Sequence, residues 1–172
     1  MTVKMQLKKY IKDIVYGAND GMVTTFAVVA GVVGAHLSTT VILIVGFANL
    51  LDDGFSMAAS DYLGTKSECE AKEGNVTECD PKHLWRSAWF TFLSFALAGL
   101  VPLVPFLFGI PSGLALTVSA MFTGVGLFIV GALRSHYTKK GFVASGLEVL
   151  IVGGVAAVIA YLVGLFIKTI IG

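Results

Sequence analysis

Asn49, Asp53, Met57 and Asp61 recur at every fourth position of NLLDDGFSMAASD, inside one of the most apolar stretches of the chain. Residues four apart stack on one helix face. An amide, a carboxylate, a thioether and a second carboxylate would therefore form one stripe. Asp52 would point about 100° away from Asp53. Carboxylate and amide oxygens suit hard divalent cations, while a thioether suits softer transition metals. The mixed set favours a first-row ion such as Fe(II) over Mg(II) or Ca(II), and Mn(II) is also compatible. Upstream, in IKDIVYGANDGMVTT, Asp13, Asp20 and Thr24 share a second face. An ionisable residue within a membrane helix marks a functional site by default.

The elements that must carry these stripes are membrane helices. Of 172 residues, 56% are apolar and 13% charged, whereas soluble domains are about half apolar and about a quarter charged. The mean hydropathy is +0.84. Twenty glycines against four prolines fit closely packed membrane helices. A net charge of +1 offers no surface for nucleic acid. The basic start, MTVKMQLKKYIKD, runs into a full-length apolar segment with no small-residue cleavage site, which predicts a first membrane helix and no signal peptide.

Apolar runs of about 20 residues mark spans. Five occur, at about 11–35, 39–64, 82–108, 112–135 and 142–170, and together they make one all-α integral membrane domain. Ser38 is placed to cap the second helix. A polar loop covers about 65–81, and Asp80-Pro81 reads as a cap followed by proline at the first position of the third helix. VPLVPF bends or stops that helix. Lysine and arginine cluster before the first helix, between the second and third, and between the fourth and fifth, so the N-terminus is cytoplasmic and the C-terminus outside. The sequon Asn75-Val76-Thr77 then faces the cytoplasm and is discounted. Cys69 and Cys79 form either one disulfide or two thiols, at a spacing that matches no zinc motif. No internal repeat is visible, and five helices cannot be two equal halves.

Depth can be counted along these helices. Asp20 and Asp53 each lie roughly 13 Å from the cytoplasmic end, and Glu148 roughly 9 Å. Three carboxylates from three helices reach one level. Simpler readings stand beside this one. Asp61 can sit at the membrane surface, and Asp52 can pair with a lysine or cap a kink. Met57 can be a packing residue, and Glu148 can be solvated beside Lys139 or Lys140. The histidines, His36, His83 and His136, fall near helix ends. The acidic residues of the polar segment read as a solvated loop.

Three stretches carry a resemblance. DIVYGANDGMVTTFAVVAGVVGA in the first helix, DDGFSMAASDYLGTKSE in the second and SGLEVLIVGGVAAVIAYLVG in the fifth are similar to the vacuolar iron transporter family, over nearly the whole chain. The resemblance implies a homodimer with its path at or near the subunit interface. It implies export of Fe(II), and often Mn(II), from the cytosol in exchange for protons. Asp20 and Met57 match family positions that line the ion path. Asn49 falls where members often carry glutamate, and Asp53 is placed to supply the missing carboxylate. The cytoplasmic segment of about twenty residues is far shorter than the metal-binding domain of plant-type members and resembles the prokaryotic and nodulin-like branches.

The expectation is a divalent-metal transporter with no resident cofactor, its candidate ligands being Asp20, Asn49, Asp53, Met57 and Glu148. Its partners are metal ions, protons, the bilayer and a second copy. The membrane would be a prokaryotic plasma membrane, or a vacuolar-type membrane in a eukaryote. Two alternatives compete. An intramembrane aspartyl-type enzyme needs two carboxyls sharing a proton, but NDG and LDDG do not resemble such motifs. A non-transporting scaffold leaves the buried aspartates without a role.

Overall fold

The computed structural model describes residues 10–73, 80–138 and 141–171. Cys79, the sequon, Glu78 and lysines 4, 8, 9, 139 and 140 lie outside the described residues. Five long helices make up the fold: α1 (Ile11–Gly34), α2 (Thr39–Glu73), α3 (Pro81–Gly99), α4 (Ser112–Thr138) and α5 (Phe142–Ile171).

Helices α2 to α5 supply four segments long and apolar enough to cross a membrane. The fifth expected span, α1, falls short of that standard, because Asn19, Asp20, Thr24 and Thr25 occupy its middle. Packing explains how it is accommodated. Helix α1 is central and touches all four of the others, so protein surrounds much of its polar content. Polar membrane residues face a bundle interior for this reason. By contrast α5 is apolar nearly all round, and Ile151, Val155, Val158 and Leu162 are exposed on it, as befits a helix facing lipid.

Close approach to α1 depends on small residues. A Cβ on Gly21 would strike the backbone carbonyl of Phe95 on α3, so only glycine fits there. Around this contact Val29, Ile42, Leu50, Phe95, Leu103, Phe106 and Ala115 form the main core. Met22, Leu127 and Val149 make a second cluster joining α1, α4 and α5.

The helix ends follow local chemistry. Helix α1 closes with Leu37 N–H on Val32 O and His36 N–H on Val33 O, and His36 takes the left-handed conformation at φ 56°. Ser38 Oγ accepts from Val41 N at 3.4 Å, as its capping position predicts. Asp80 Oδ1 accepts from Lys82 N at 3.0 Å, with Pro81 as the first helical residue. Helix α2 runs past the expected end near Gly64 to Glu73. Its polar extension, KSECEAKE, contains good helix formers with no glycine or proline, and Lys66 pairs with Glu70 at 3.7 Å. Within it Cys69 is disulfide-bonded.

Helix α3 ends at Gly99, and a 3-10 turn (Val101–Leu103) and a single α-turn (Val104–Leu107) follow. The prolines of VPLVPF remove the donors a continuous helix would need. Buried Ser119 on α4 donates its hydroxyl to Pro102 O at 2.7 Å, which satisfies one carbonyl left over by the break.

Candidate functional site

Glycine follows each of the two central aspartates, in Asp20-Gly21 and Asp53-Gly54, and both glycines are buried. Both glycines pack against Phe95 of α3, which brings α1 and α2 to the same place on that helix. The carboxylates end up half-buried and close enough that the charge of Asp53 bears on Asp20. Thr24, on the same face, donates its hydroxyl to the backbone carbonyl of Asp20 at 2.8 Å, so that hydroxyl is turned to the backbone and not to the carboxylate.

Amides flank the pair. Asn49 Nδ2, one turn from Asp53, and Asn19 Oδ1, next to Asp20, are buried without a hydrogen-bond partner. Buried polar atoms without partners are uncommon in proteins and call for an explanation. Met57, one turn beyond Asp53, packs against the main core and also lines a groove of about 330 Å³ with Tyr16, Ser56, Ser60, Asp61 and Glu68. Met57 thus packs on the core with one side and faces an open groove with the other.

A second tier of carboxylates lies along the same seam. Asp61, which the sequence allowed at the membrane surface, has Oδ2 buried and unpartnered, and its charge bears on Asp13 of α1. Asp13 Oδ2 accepts from Ser87 Oγ on α3 at 2.6 Å. His83 and Lys12 set opposite charge near this tier. Buried Tyr10 closes over it, with its ring edge-on to His83 at 5.3 Å and stacked on Phe90 at 5.0 Å. Sequence reasoning placed Asp13 on the Asp20 face but did not pair it. The signal was available: Asp13 to Asp20 and Asp53 to Asp61 are both about two helix turns, so antiparallel helices joined at one pair must meet again at the other. The tiers stand roughly 10–12 Å apart along the helices.

Glu148 lies on the third helix expected to supply a carboxylate. It is exposed on α5. Among the described residues no three of histidine, cysteine, aspartate and glutamate converge to hold a metal ion. The described residues therefore offer carboxylate pairs with amide and thioether neighbours, and no closed cage. A larger cavity of about 470 Å³, between α1, α4 and α5, has Lys12 and Arg134 in its wall. Lys12 reaches the seam groove as well, but there it stands with Asp61 and Glu68, whereas the larger cavity has no carboxylate in its wall, so the α1–α2 seam is the better cation site although its groove is smaller.

These features define a class: a helical membrane protein whose bundle holds a seam of paired carboxylates inside otherwise apolar walls. The VIT family model matches residues 11–80 and 71–165, and the chain belongs to that family. It is 25% identical to vacuolar iron transporter 1 of Eucalyptus grandis, over 88% of this chain and 84% of that one. It is 24% identical to the vacuolar iron transporter of Plasmodium falciparum, over 94% of this chain and 83% of that one. Identity reaches 49% over 59 residues of the vacuolar iron transporter of Toxoplasma gondii, 34% of this chain and 20% of that one. These relatives are named as transporters, and the chain is not an enzyme. The aspartyl-enzyme alternative is set aside.

Proposed function

We propose that this chain is a metal transporter that exports Fe(II), with Mn(II) as a second substrate, from the cytosol in exchange for protons. The observation that carries the reading is the Asp20–Asp53 pair across α1 and α2, half-buried among apolar helices. Two carboxylates withdrawn from water repel each other, and either one proton or one cation relieves that repulsion. Metal and proton therefore compete for the same oxygens. Metal arriving from the cytosol displaces the proton, and a proton from the far side displaces the metal. Asn49 adds a neutral oxygen, and Met57 a sulfur that favours Fe(II) over Mg(II). The Asp13–Asp61 tier, nearer the clustered lysines, receives the ion before the central pair.

The open metal geometry of one chain supports a homodimer, in which a second copy completes the ligand set along the α1–α2 seam. The lysine and arginine distribution supports a cytoplasmic N-terminus and an outer C-terminus. The short polar segment favours a prokaryotic plasma membrane over a vacuolar one.

The test is flux in proteoliposomes with an imposed pH gradient, reading Fe(II) entry and internal pH together, with Mn(II) in parallel. Metal entry coupled to proton exit is expected, along with loss of both in Asp20→Asn. Full flux in a folded Asp20→Asn protein would overturn the role of the pair, and no flux of either ion would return weight to the scaffold.

A further inference from the structure

On the side of α2 opposite the carboxylate seam lies a groove of a different kind. Tyr62 is nine residues from Asp53, about 180° round the helix. With Phe55 and Leu63 of α2, and Trp85, Trp89 and Phe92 of α3, it walls an apolar trough of about 420 Å³. The rings are already ordered against one another. Tyr62 and Trp85 stand 5.1 Å apart, and Trp89 and Phe92 are stacked at 5.9 Å. Phe55, Leu63, Trp85 and Trp89 are nonetheless exposed.

Two features identify what fills it. From Phe55 to Leu63 the lining of the trough rises roughly 12 Å, and Lys66 stands about one turn beyond it, most of the depth of one leaflet of a hydrocarbon core roughly 30 Å thick. Lys66 lies one turn beyond Tyr62 on α2, and Lys82 lies one turn before Trp85 on α3. Both helices reach the same membrane face at this point, so both lysines stand at the same end of the trough. Lys82 is exposed, and Lys66 is 40% exposed in a long 3.7 Å pairing with Glu70. Tyrosine and tryptophan at the polar end sit where aromatic residues meet headgroups. An apolar trough that leads up to two ammonium groups, only one of them in an ion pair among the described residues, is complementary to the chain and headgroup of an anionic lipid.

We propose that the α2–α3 trough binds an anionic phospholipid, with one acyl chain along Trp85, Trp89 and Phe92 and the phosphate between Lys66 and Lys82. A second protein chain in the trough would need a complementary anionic side chain at its mouth. The lipid of the surrounding leaflet already carries that charge. The proposal does not rest on the transport reading.

Trp85 and Trp89 are the two tryptophans of the chain, so intrinsic fluorescence reports on this groove alone. The test reconstitutes the whole protein with phospholipid brominated on its acyl chains, as phosphatidylglycerol or as phosphatidylcholine. Half-quenching by the glycerol form is expected at about tenfold lower mole fraction, taking roughly fivefold per lysine as the upper scale. Lys66→Gln with Lys82→Gln should bring the two curves together. In Trp85→Phe and Trp89→Phe, which leave one tryptophan each, bromines near the headgroup should quench Trp85 more and bromines near the chain end should quench Trp89 more. Equal quenching by both headgroups means ordinary boundary lipid and overturns the proposal. Quenching by neither means a second copy covers the groove, which also overturns it. Should the double lysine variant fail to fold, the headgroup comparison on the unaltered protein still decides.

Discussion

Helix α2 shows two unlike faces to its neighbours. Toward α1 it sets Asn49, Asp53, Met57 and Asp61, with buried polar atoms and half-buried charge. Toward α3 and the outside it sets Phe55, Tyr62 and Leu63 against more aromatic rings. Asp53 and Phe55 are two residues apart, yet the first meets a carboxylate and the second a tryptophan-lined trough. The 3.6-residue turn makes the division, and it lets one helix combine a hydrophilic seam with a lipid-compatible exterior. Composition averaged over the helix hides this. Charges collected on one stripe can cooperate on an ion, while the same number spread around the helix would only oppose insertion.

If that division is functional, neutralising the seam has the largest effect. Asp20→Asn should reduce Fe(II) flux to background with the thermal melting of the detergent-solubilised protein retained. Asp53→Asn should do the same, since the pair acts as a unit. Retained flux in Asp53→Asn alone would mean that Asp20 suffices, and would weaken the argument from pairing. The outer tier should matter less. Asp61→Asn should lower flux several-fold at limiting Fe(II) and less at saturation, because it removes attraction at the entrance and leaves the central ligands in place. A loss at saturation equal to that of Asp53→Asn would make the tiers equivalent. Met57→Leu keeps volume and apolarity and removes only the sulfur, so stability should change by less than about 1.5 kcal/mol. The ratio of Fe(II) to Mn(II) flux should fall several-fold, because Mn(II) depends less on a soft ligand. An unchanged ratio would leave Met57 as a packing residue of the core.

Much of this arrangement was legible in the sequence, and the failures have physical causes. The five helices, the Ser38 and Asp80-Pro81 caps and the break at VPLVPF all follow from local rules that do not depend on tertiary context. The level shared by Asp20 and Asp53 follows from rise per residue. Azimuth does not follow from depth. Glu148 was counted to a similar level, but which way α5 turns depends on packing against α1 and α4, and Glu148 is exposed there. The end of α2 was missed for another reason. Polarity marks the end of a membrane span, not the end of a helix, and nothing between Gly64 and Glu73 opposes helix. The weak apolarity of α1 is informative in retrospect, since a helix that carries the site must be shielded by all the others.

The smallest expected effects come from two adjacent leucines, and they test the division without touching the site chemistry. Leu50 is 3% exposed within the main core, while Leu51 is 65% exposed on the outer side of α2. Inside a membrane the contribution of such residues is packing, because lipid tails are as apolar as leucine. Leu50→Ala leaves a cavity among Val29, Phe95 and Leu103 and should cost about 2–5 kcal/mol, read as a clear fall in melting temperature. Leu51→Ala leaves space that lipid or detergent fills and should cost less than about 0.5 kcal/mol, with Fe(II) flux unchanged. A Leu51→Ala cost close to that of Leu50→Ala would show that protein, and not lipid, covers the outer face. A second copy would then be the cover to look for on that face, and the two faces of α2 would differ in chemistry but not in burial.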